Sequence, residues 1–246
     1  MAFLQIENVE HLYFTEETYS TALQNINCSI QQGEFVAFVG PSGCGKSTLL
    51  SIIAGLISAT IGEVSFEDPD KKIGYMLQQD YLLPWKTIWQ NVALGLVIAN
   101  ELDATKVDGL LQEFQLLHTA EMYPTQLSGG MRQRIALART LVTEPSLLLL
   151  DEPFSALDYR TRLELENFVW ETLKKHEKTA ILVTHDMSEA IAMCDRIFLF
   201  SKSPGTIIRT IEVPQEIREA TPFHARSIAS FQTLFTTIWE ELERNG

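Results

Sequence analysis

Cysteine is scarce in this sequence. Its three residues, Cys28, Cys44 and Cys194, are an odd number at wide spacings with no CxxC pair. That argues against a zinc or disulfide framework and fits reduced thiols in the cytosol. Positive charge is scarce too: 19 Lys and Arg stand against 32 Asp and Glu, a formal charge of −13. Duplex binding needs a basic face, so nucleic acid is not an expected partner. No apolar run approaches the roughly 18 residues of a membrane span. The opening MAFLQIENVE lacks a basic stretch leading into an apolar one, so a secretory signal is not expected. Repeats and low-complexity tracts are absent as well. What remains is a globular composition, 46% hydrophobic and 21% charged over 246 residues, which excludes a disordered or collagen-like chain. The length suits one large domain, or one domain with a subdomain.

Strand and helix patterns alternate, which predicts a mostly parallel sheet covered by helices. Glu34–Gly40 is a near-continuous apolar run ending in glycine, the mark of a buried parallel strand. A helix is expected over Lys46–Leu56 and a short strand over Ile73–Leu77. Helices follow over Trp89–Ala99 and Lys106–Leu117, so about 84–143 reads as a helical insertion. Strands are expected at Ser146–Asp151, Thr179–Thr184 and Arg196–Phe200, with helices at Thr161–Lys175 and Ser188–Cys194. Near the end, Phe231, Leu234, Phe235, Ile238, Trp239 and Leu242 recur at three- and four-residue steps and form one helical stripe. A membrane-surface helix would want Lys and Arg opposite that stripe, but Glu240, Glu241 and Glu243 stand there, so packing on its own domain is expected.

Gly40-Pro41-Ser42-Gly43-Cys44-Gly45-Lys46-Ser47 fits G-x-x-x-x-G-K-[ST], with a buried strand before it and a helix after it. Glycines let backbone N–H groups turn inward around a phosphate, and the helix adds its free N–H groups and positive dipole end. Lys46 would reach the β- and γ-phosphates and Ser47 would offer a hydroxyl to Mg²⁺. Thr105-Lys106-Val107-Asp108 matches the guanine-reading string [NT]-K-x-D. It precedes the later acidic strand and sits at a helix start, so it reads as a solvated helix N-terminus.

Leu147–Leu150 lead into Asp151-Glu152. Burying that strand places both carboxylates at its C-terminal end, where open α/β sheets bind ligands. Asp151 would hold Mg²⁺ through water and Glu152 would polarise an attacking water; behind a phosphate loop this outweighs the alternative, a helix-leading acidic turn. Leu127-Ser128-Gly129-Gly130 precedes an evident helix beginning Met131-Arg132-Gln133. Ser128 can cap it, and two glycines leave its N–H groups uncovered, which makes a second anion site. One phosphate loop should not need two.

With these motifs in this order, the chain resembles the nucleotide-binding subunit of an ATP-binding cassette (ABC) transporter over nearly its whole length. Gly40–Ser47 and Thr48 resemble Walker A, Gln78 the Q-loop glutamine and Leu127–Gly130 the signature. Leu147–Asp151 resembles Walker B with Glu152 as catalytic glutamate, Ser155-Ala156-Leu157-Asp158 the D-loop, and His185 the switch histidine. Tyr13 stands where the family has an aromatic that stacks on adenine, with Phe14 beside it as a competitor; Gln79 competes likewise with Gln78. Met131 replaces the signature's common Gln.

The resemblance implies an α/β P-loop NTPase fold: a RecA-like core at about 1–83 and 144–210, an N-terminal antiparallel β subdomain, a helical subdomain at about 84–143 and a C-terminal helical segment at about 211–246. It implies ATP and Mg²⁺ as cofactors, the metal held by Ser47, Gln78 and Asp151. Catalysis would fall to Lys46, Gln78, Glu152 and His185. The implied assembly is a head-to-tail homodimer in which Ser128, Gly129 and Gly130 of one copy close over the ATP of the other, with the D-loop Asp158 alongside. Gln79–Trp85, Ser128–Arg134 and Ser203–Ile208 together resemble the nitrate, sulfonate and taurine importer group, which also takes in vitamin precursors. That implies permease subunits, indirectly a solute-binding protein, and a peripheral place on the cytoplasmic face of the membrane. The apolar Tyr81-Leu82-Leu83-Pro84-Trp85 reads either as core packing or as a patch that docks a permease helix. The alternative is a soluble, non-transport ABC ATPase with a regulatory or nucleic-acid role. Cys44 inside the phosphate loop predicts sensitivity to thiol reagents.

Overall fold

The structure, a computed structural model, describes residues 2–14 and 18–245. Met1 and Gly246, the outermost residues of the expected domain, lie outside the described residues, as do 15–17.

Two long strands open the chain, β1 (Leu4–Phe14) and β2 (Tyr19–Ile30), followed by the short, wholly buried β3 (Phe35–Val39). Helix α1 (Lys46–Ile53) leads to β4 (Ile61–Phe66) and β5 (Ile73–Met76). The stretch from β5 to the next strand is helical: α2 (Ile88–Val92), α3 (Leu94–Ile98), α4 (Ala104–Glu113), two 3₁₀ turns and α5 (Gly129–Leu141). Then come β6 (Leu147–Asp151), α6 (Tyr159–Lys175), β7 (Thr179–Thr184), α7 (Met187–Met193), β8 (Arg196–Phe200) and β9 (Ile207–Glu212). Three helices finish it: α8 (Gln215–Arg218), α9 (Pro222–Ala225) and α10 (Ala229–Asn245).

The main sheet has the order β5-β6-β7-β3-β8-β9, parallel except for antiparallel β9 at one edge. A second, antiparallel sheet has the order β2-β1-β4. The continuous apolar runs are explained by burial on both faces of the main sheet. Leu148 and Leu150 point into the cluster built with α5, α6 and α7, while Leu147 and Leu149 point into the cluster shared with α1 and the antiparallel sheet. The helical insertion belongs to the first of these clusters through Ile88, Val92, Val107 and Leu111, so it is continuous with the core.

Three expectations change in detail. The helix expected over Trp89–Ala99 is two, because ψ of −13° at Ala93 tightens one turn between α2 and α3. The helix expected to run to Leu117 stops at Glu113, before Gln115 at φ 59°. The helix expected to reach Leu56 ends at Ile53, with Gly55 in the left-handed region at φ 73°. The C-terminal stripe packs on its own domain as expected: Phe231 and Ile238 are buried, and Leu234, Phe235 and Leu242 lie partly buried against the core.

Candidate functional site

Five parallel strands end on one edge of the sheet, so the residues that follow them share one rim. Gly40 follows β3, Gln78 follows β5, Glu152 follows β6, His185 follows β7, and the Ser203–Gly205 loop follows β8. Chain order is scrambled there, but the rim is continuous.

The Gly40–Ser47 loop needs its glycines. Gly45 is left-handed at φ 100°, and a Cβ there would lie 2.6 Å from the Ala22 carbonyl oxygen. Gly45 caps α1 without a side chain, so the first-turn N–H groups keep no side-chain partner. Lys46 is buried, and its Nζ donates to the carbonyl oxygens of Gly40 (2.7 Å) and Pro41 (2.8 Å), with Cys44 Sγ at 3.6 Å. A buried ammonium hydrogen-bonded only to neutral groups, with the Asp151 carboxylate acting on it at longer range, is a charge that a further anion would stabilise. The loop opens on a 310 Å³ cavity lined by Tyr13, Ser42, Gly43, Gly45, Lys46, Ser47, Thr48 and Glu152. Ser20, Thr21, Ala22 and Ser203 complete its wall. Behind the loop sits Gly205, where a Cβ would come within 2.0 Å of the Cys44 carbonyl oxygen. The Cys44 thiol itself is buried, so the expected thiol sensitivity is corrected: a reagent reaches Cys44 only if the loop opens.

The carboxylates meet this loop directly. Ser47 Oγ donates to Asp151 Oδ1 at 2.9 Å, and Tyr75 Oη donates to Asp151 Oδ2 at 3.4 Å. Burial raises the Asp151 pKa, as does the Glu152 charge, against the hydrogen bonds from Ser47 and Tyr75 and the charge of Lys46. Glu152 has a left-handed backbone at φ 46°, fixed by its N–H donating to the Val183 carbonyl at 2.9 Å. That conformation costs a non-glycine residue on the order of 1 kcal/mol or more and collects at functional sites. His185 Nδ1 lies 3.3 Å from Glu152 Oε2. Gln78 Nε2 donates to Ser155 Oγ at 3.2 Å and lies 3.5 Å from Glu152 Oε2; Gln79 makes no such contact. The Ser47 hydroxyl and Asp151 carboxylate are hard oxygen donors that suit Mg²⁺. Among the described residues there is no cluster of three or more His, Cys, Asp or Glu, so such an ion would rely on phosphate and water for its remaining ligands.

The signature turn is elsewhere. Ser128 Oγ caps α5 by accepting from Met131 N–H at 3.3 Å. Gly129 lines a separate 390 Å³ cavity with Gln78, Gln79, Arg132 and Leu157, and none of Ser128, Gly129 and Gly130 lines the Lys46 cavity. Asp158 is likewise outside that cavity and spends its carboxylate on capping α6 through Thr161 N–H at 3.1 Å. Within one chain, therefore, Tyr13, Walker A, Gln78, Asp151, Glu152 and His185 come together, while Ser128–Gly130 and Asp158 lie outside the Lys46 cavity, with Gly129 meeting the group only through the cavity it shares with Gln78.

The other expectations resolve simply. Tyr13 Oη lies 3.1 Å from Thr48 Oγ1 at the rim of the cavity, while Phe14 lines none of it. Thr105–Asp108 is the first turn of α4, capped by Asp103. Of the Tyr81–Trp85 segment, Leu82 is buried and Tyr81 and Trp85 are exposed, so it divides between packing and surface. The sequence reading missed Tyr75, Ser155 and the Ser20–Ala22 wall, whose roles depend on neighbours far away in the chain.

The ABC transporter family pattern matches residues 23–155. An "Uncharacterized ABC transporter ATP-binding protein YtlC" of Bacillus subtilis (strain 168) is 57% identical over 98% of this chain and 96% of its own length. An "Aliphatic sulfonates import ATP-binding protein SsuB" of Bacillus thuringiensis subsp. konkukian is 39% identical over 95% of this chain and 94% of its own. Among solved structures, a dimeric post-hydrolysis state of the ATP-binding cassette MJ0796 bound to ADP and Pi matches with a TM-score of 0.74 and 33% identity, covering 86% of this chain and 99% of that one.

Proposed function

The chain belongs to the ABC transporter family, and from that premise we propose that it is the ATP-hydrolysing subunit of a bacterial importer. It couples ATP + H₂O → ADP + phosphate to uptake of a small solute of the sulfonate, nitrate, taurine or vitamin-precursor type. The SsuB relatives, named for aliphatic sulfonates, favour the first of these. No relative reported above favours the soluble, non-transport alternative.

The observation that carries this reading is the buried Lys46 ammonium, hydrogen-bonded only to neutral groups, in a cavity that Glu152 also lines and beside the Ser47–Asp151 contact. ATP would place its β- and γ-phosphates against Lys46 and the loop N–H groups, and its adenine against Tyr13. Ser47 and Asp151 would hold Mg²⁺, with Gln78 nearby; the ion, when bound, neutralises phosphate charge. Glu152 would take the proton of the attacking water, and His185, within reach of Glu152, would contact the γ-phosphate. Phosphoryl transfer is catalysed mainly by positioning and charge stabilisation, so assembling the donors is the activating event. Ser128, Gly129 and Gly130 do not reach the Lys46 cavity of their own chain, so a second copy placed head to tail would supply them. The exposed Tyr81 and Trp85, at the entry to the 84–143 segment, would dock against a membrane permease, holding the subunit at the cytoplasmic face of the membrane. A solute-binding protein would deliver the solute outside.

The test is purification from membranes. The chain should bring down a multi-spanning subunit and release phosphate from ATP. A preparation that hydrolyses ATP but always travels with ribosomes or DNA would sink the importer reading.

A further inference from the structure

Beside the phosphate loop lies a 340 Å³ cavity on the side away from Tyr13. Pro41, His185 and Met187 line it together with Trp239 and Leu242 of α10, and Lys202 and Glu243 are the charged residues of the lining. Trp239 is 49% exposed and, unlike Leu234, Phe235 and Leu242 on the same helix, is not packed against the core. Neither Lys202 nor Glu243 makes an ion pair among the described residues. An apolar recess with two uncommitted charges in its lining is an unfinished contact.

Its occupant follows from what moves with the signature turn. A Cβ on Gly130 would lie 2.6 Å from Thr161 Cγ2, and one on Gly129 would lie 3.4 Å from Leu157 Cδ2. The turn is thus seated on the first turn of α6, and wherever Ser128–Gly130 goes, Tyr159 and Arg160 go too. Tyr159 is 71% exposed, and the Arg160 side chain, 88% exposed, holds only a solvent-facing pair with Glu164 at 3.0 Å, which a new partner can displace. Along the rim, Ser155 touches Gln78, Gln78 reaches Glu152, and Glu152 reaches His185. Ser155, Gln78, Glu152 and His185 thus form one line of contacts from the foot of α6 to the phosphate-loop half. In a two-fold dimer with two composite sites, whatever lies between the halves lies nearest the axis and faces its counterpart.

We infer that α10 extends the dimer interface, and that its recess takes the first turn of α6 from a second copy of this chain. The ring of the partner's Tyr159 packs on Trp239, Leu242 and Met187, and the guanidinium of the partner's Arg160 pairs with Glu243. Tyr, Trp and Arg are the side chains that anchor protein interfaces most often. The C-terminal helix then becomes a brace that engages only when both nucleotides are enclosed. This inference rests on the head-to-tail dimer of the proposed function.

The experiment separates the two. Full-length chains carrying Glu152→Gln are prepared with either Tyr159→Cys or Leu242→Cys, mixed, and oxidised with and without ATP. A disulfide-linked heterodimer that forms only with ATP, and in neither single-variant preparation, is the expected result. An ATP-dependent dimer by size with no cross-link overturns the brace and leaves the dimer standing. No dimer at all overturns the dimer and the brace with it. Charge reversal gives an independent reading: Glu243→Arg or Arg160→Glu alone should weaken ATP-driven dimerisation about tenfold, and the two together should restore it. Restoration failing while each single variant weakens the dimer would place the partner of Glu243 elsewhere.

Discussion

Two helices of this chain begin at a glycine-bearing turn, and they treat their first N–H groups in opposite ways. Helix α1 starts at Gly45 with no side-chain cap and a buried lysine inside the turn. Helix α5 starts at Ser128, whose hydroxyl consumes the Met131 N–H, and the nearby cation Arg132 is already paired with Asp80 at 2.9 Å. The first is a cradle that carries its own charge and its own cavity. The second offers hydroxyl and backbone donors but no free charge and no share of that cavity. An anion would bind the first alone; the second could only add to a site that already exists.

The widest test of that difference removes chemistry but spares both turns. Glu152→Gln should lower ATP turnover by about 10²–10⁴-fold with ATP still bound; phosphate-release kinetics with near-normal turnover would remove Glu152 as the base. Next come the two turns themselves. Lys46→Ala should weaken ATP binding by roughly 10–150-fold, the worth of a charged hydrogen bond. Ser128→Arg should leave binding by the isolated chain unchanged and suppress hydrolysis. Equal losses of affinity in both variants, by equilibrium titration, would erase the distinction between cradle and lid. A smaller effect is expected behind the loop: Gly205→Ala drives a methyl into the Cys44 carbonyl and should cost about 1–3 kcal/mol, read from the urea midpoint. A stability equal to that of the parent chain would mean that the loop has room to yield.

A third helix start offers a test that depends on pH. Asp186 caps α7, and behind it Glu189 is buried, accepting from Thr184 Oγ1 at 2.6 Å and facing Asp186, Glu166 and Arg162. Burial chiefly raises its pKa to about 8, with Asp186 and Glu166 adding to the shift and Thr184 and Arg162 opposing it. The folded chain therefore holds a proton that the unfolded chain releases near 4.5, so this contribution to stability is full below pH 4.5 and lost as pH rises through about 8. Glu189→Gln should flatten the decline in stability between pH 6 and 9; denaturation curves at those two pH values that shift in parallel for both proteins would discount it.

Local pattern explains which of these features the sequence disclosed. The Gly40–Ser47 loop and the Leu147–Asp151 strand were legible because each is contiguous and its residue types answer one physical demand, phosphate approach or burial on both faces. The 105–108 string was legible as a helix start because it precedes the acidic strand and opens a helical pattern; its cap, Asp103, was not. The β1–β2 pair was not, because its alternation is broken by register shifts between Ile6 and Leu12, so its sheet came from the family resemblance instead. Glu152's left-handed backbone, the Ser20–Ala22 wall and the fit of Gly205 against Cys44 were illegible for another reason: each depends on segments far apart in the chain. The break at Ala93 left no residue-level signal, since alanine suits either side of it.

The sheet order β5-β6-β7-β3-β8-β9 has a consequence for how the protein is made. The strand that feeds the phosphate loop pairs on one side with Thr179–Thr184 and on the other with Arg196–Phe200. During synthesis both of its edges wait, unpaired and apolar, until most of the polypeptide has left the ribosome. A nascent fragment ending before those strands would have the phosphate-loop residues without a framed cradle, and would show sticky strand edges to its surroundings. Nucleotide can thus reward only the nearly finished chain, which makes ATP a late stabiliser of the fold.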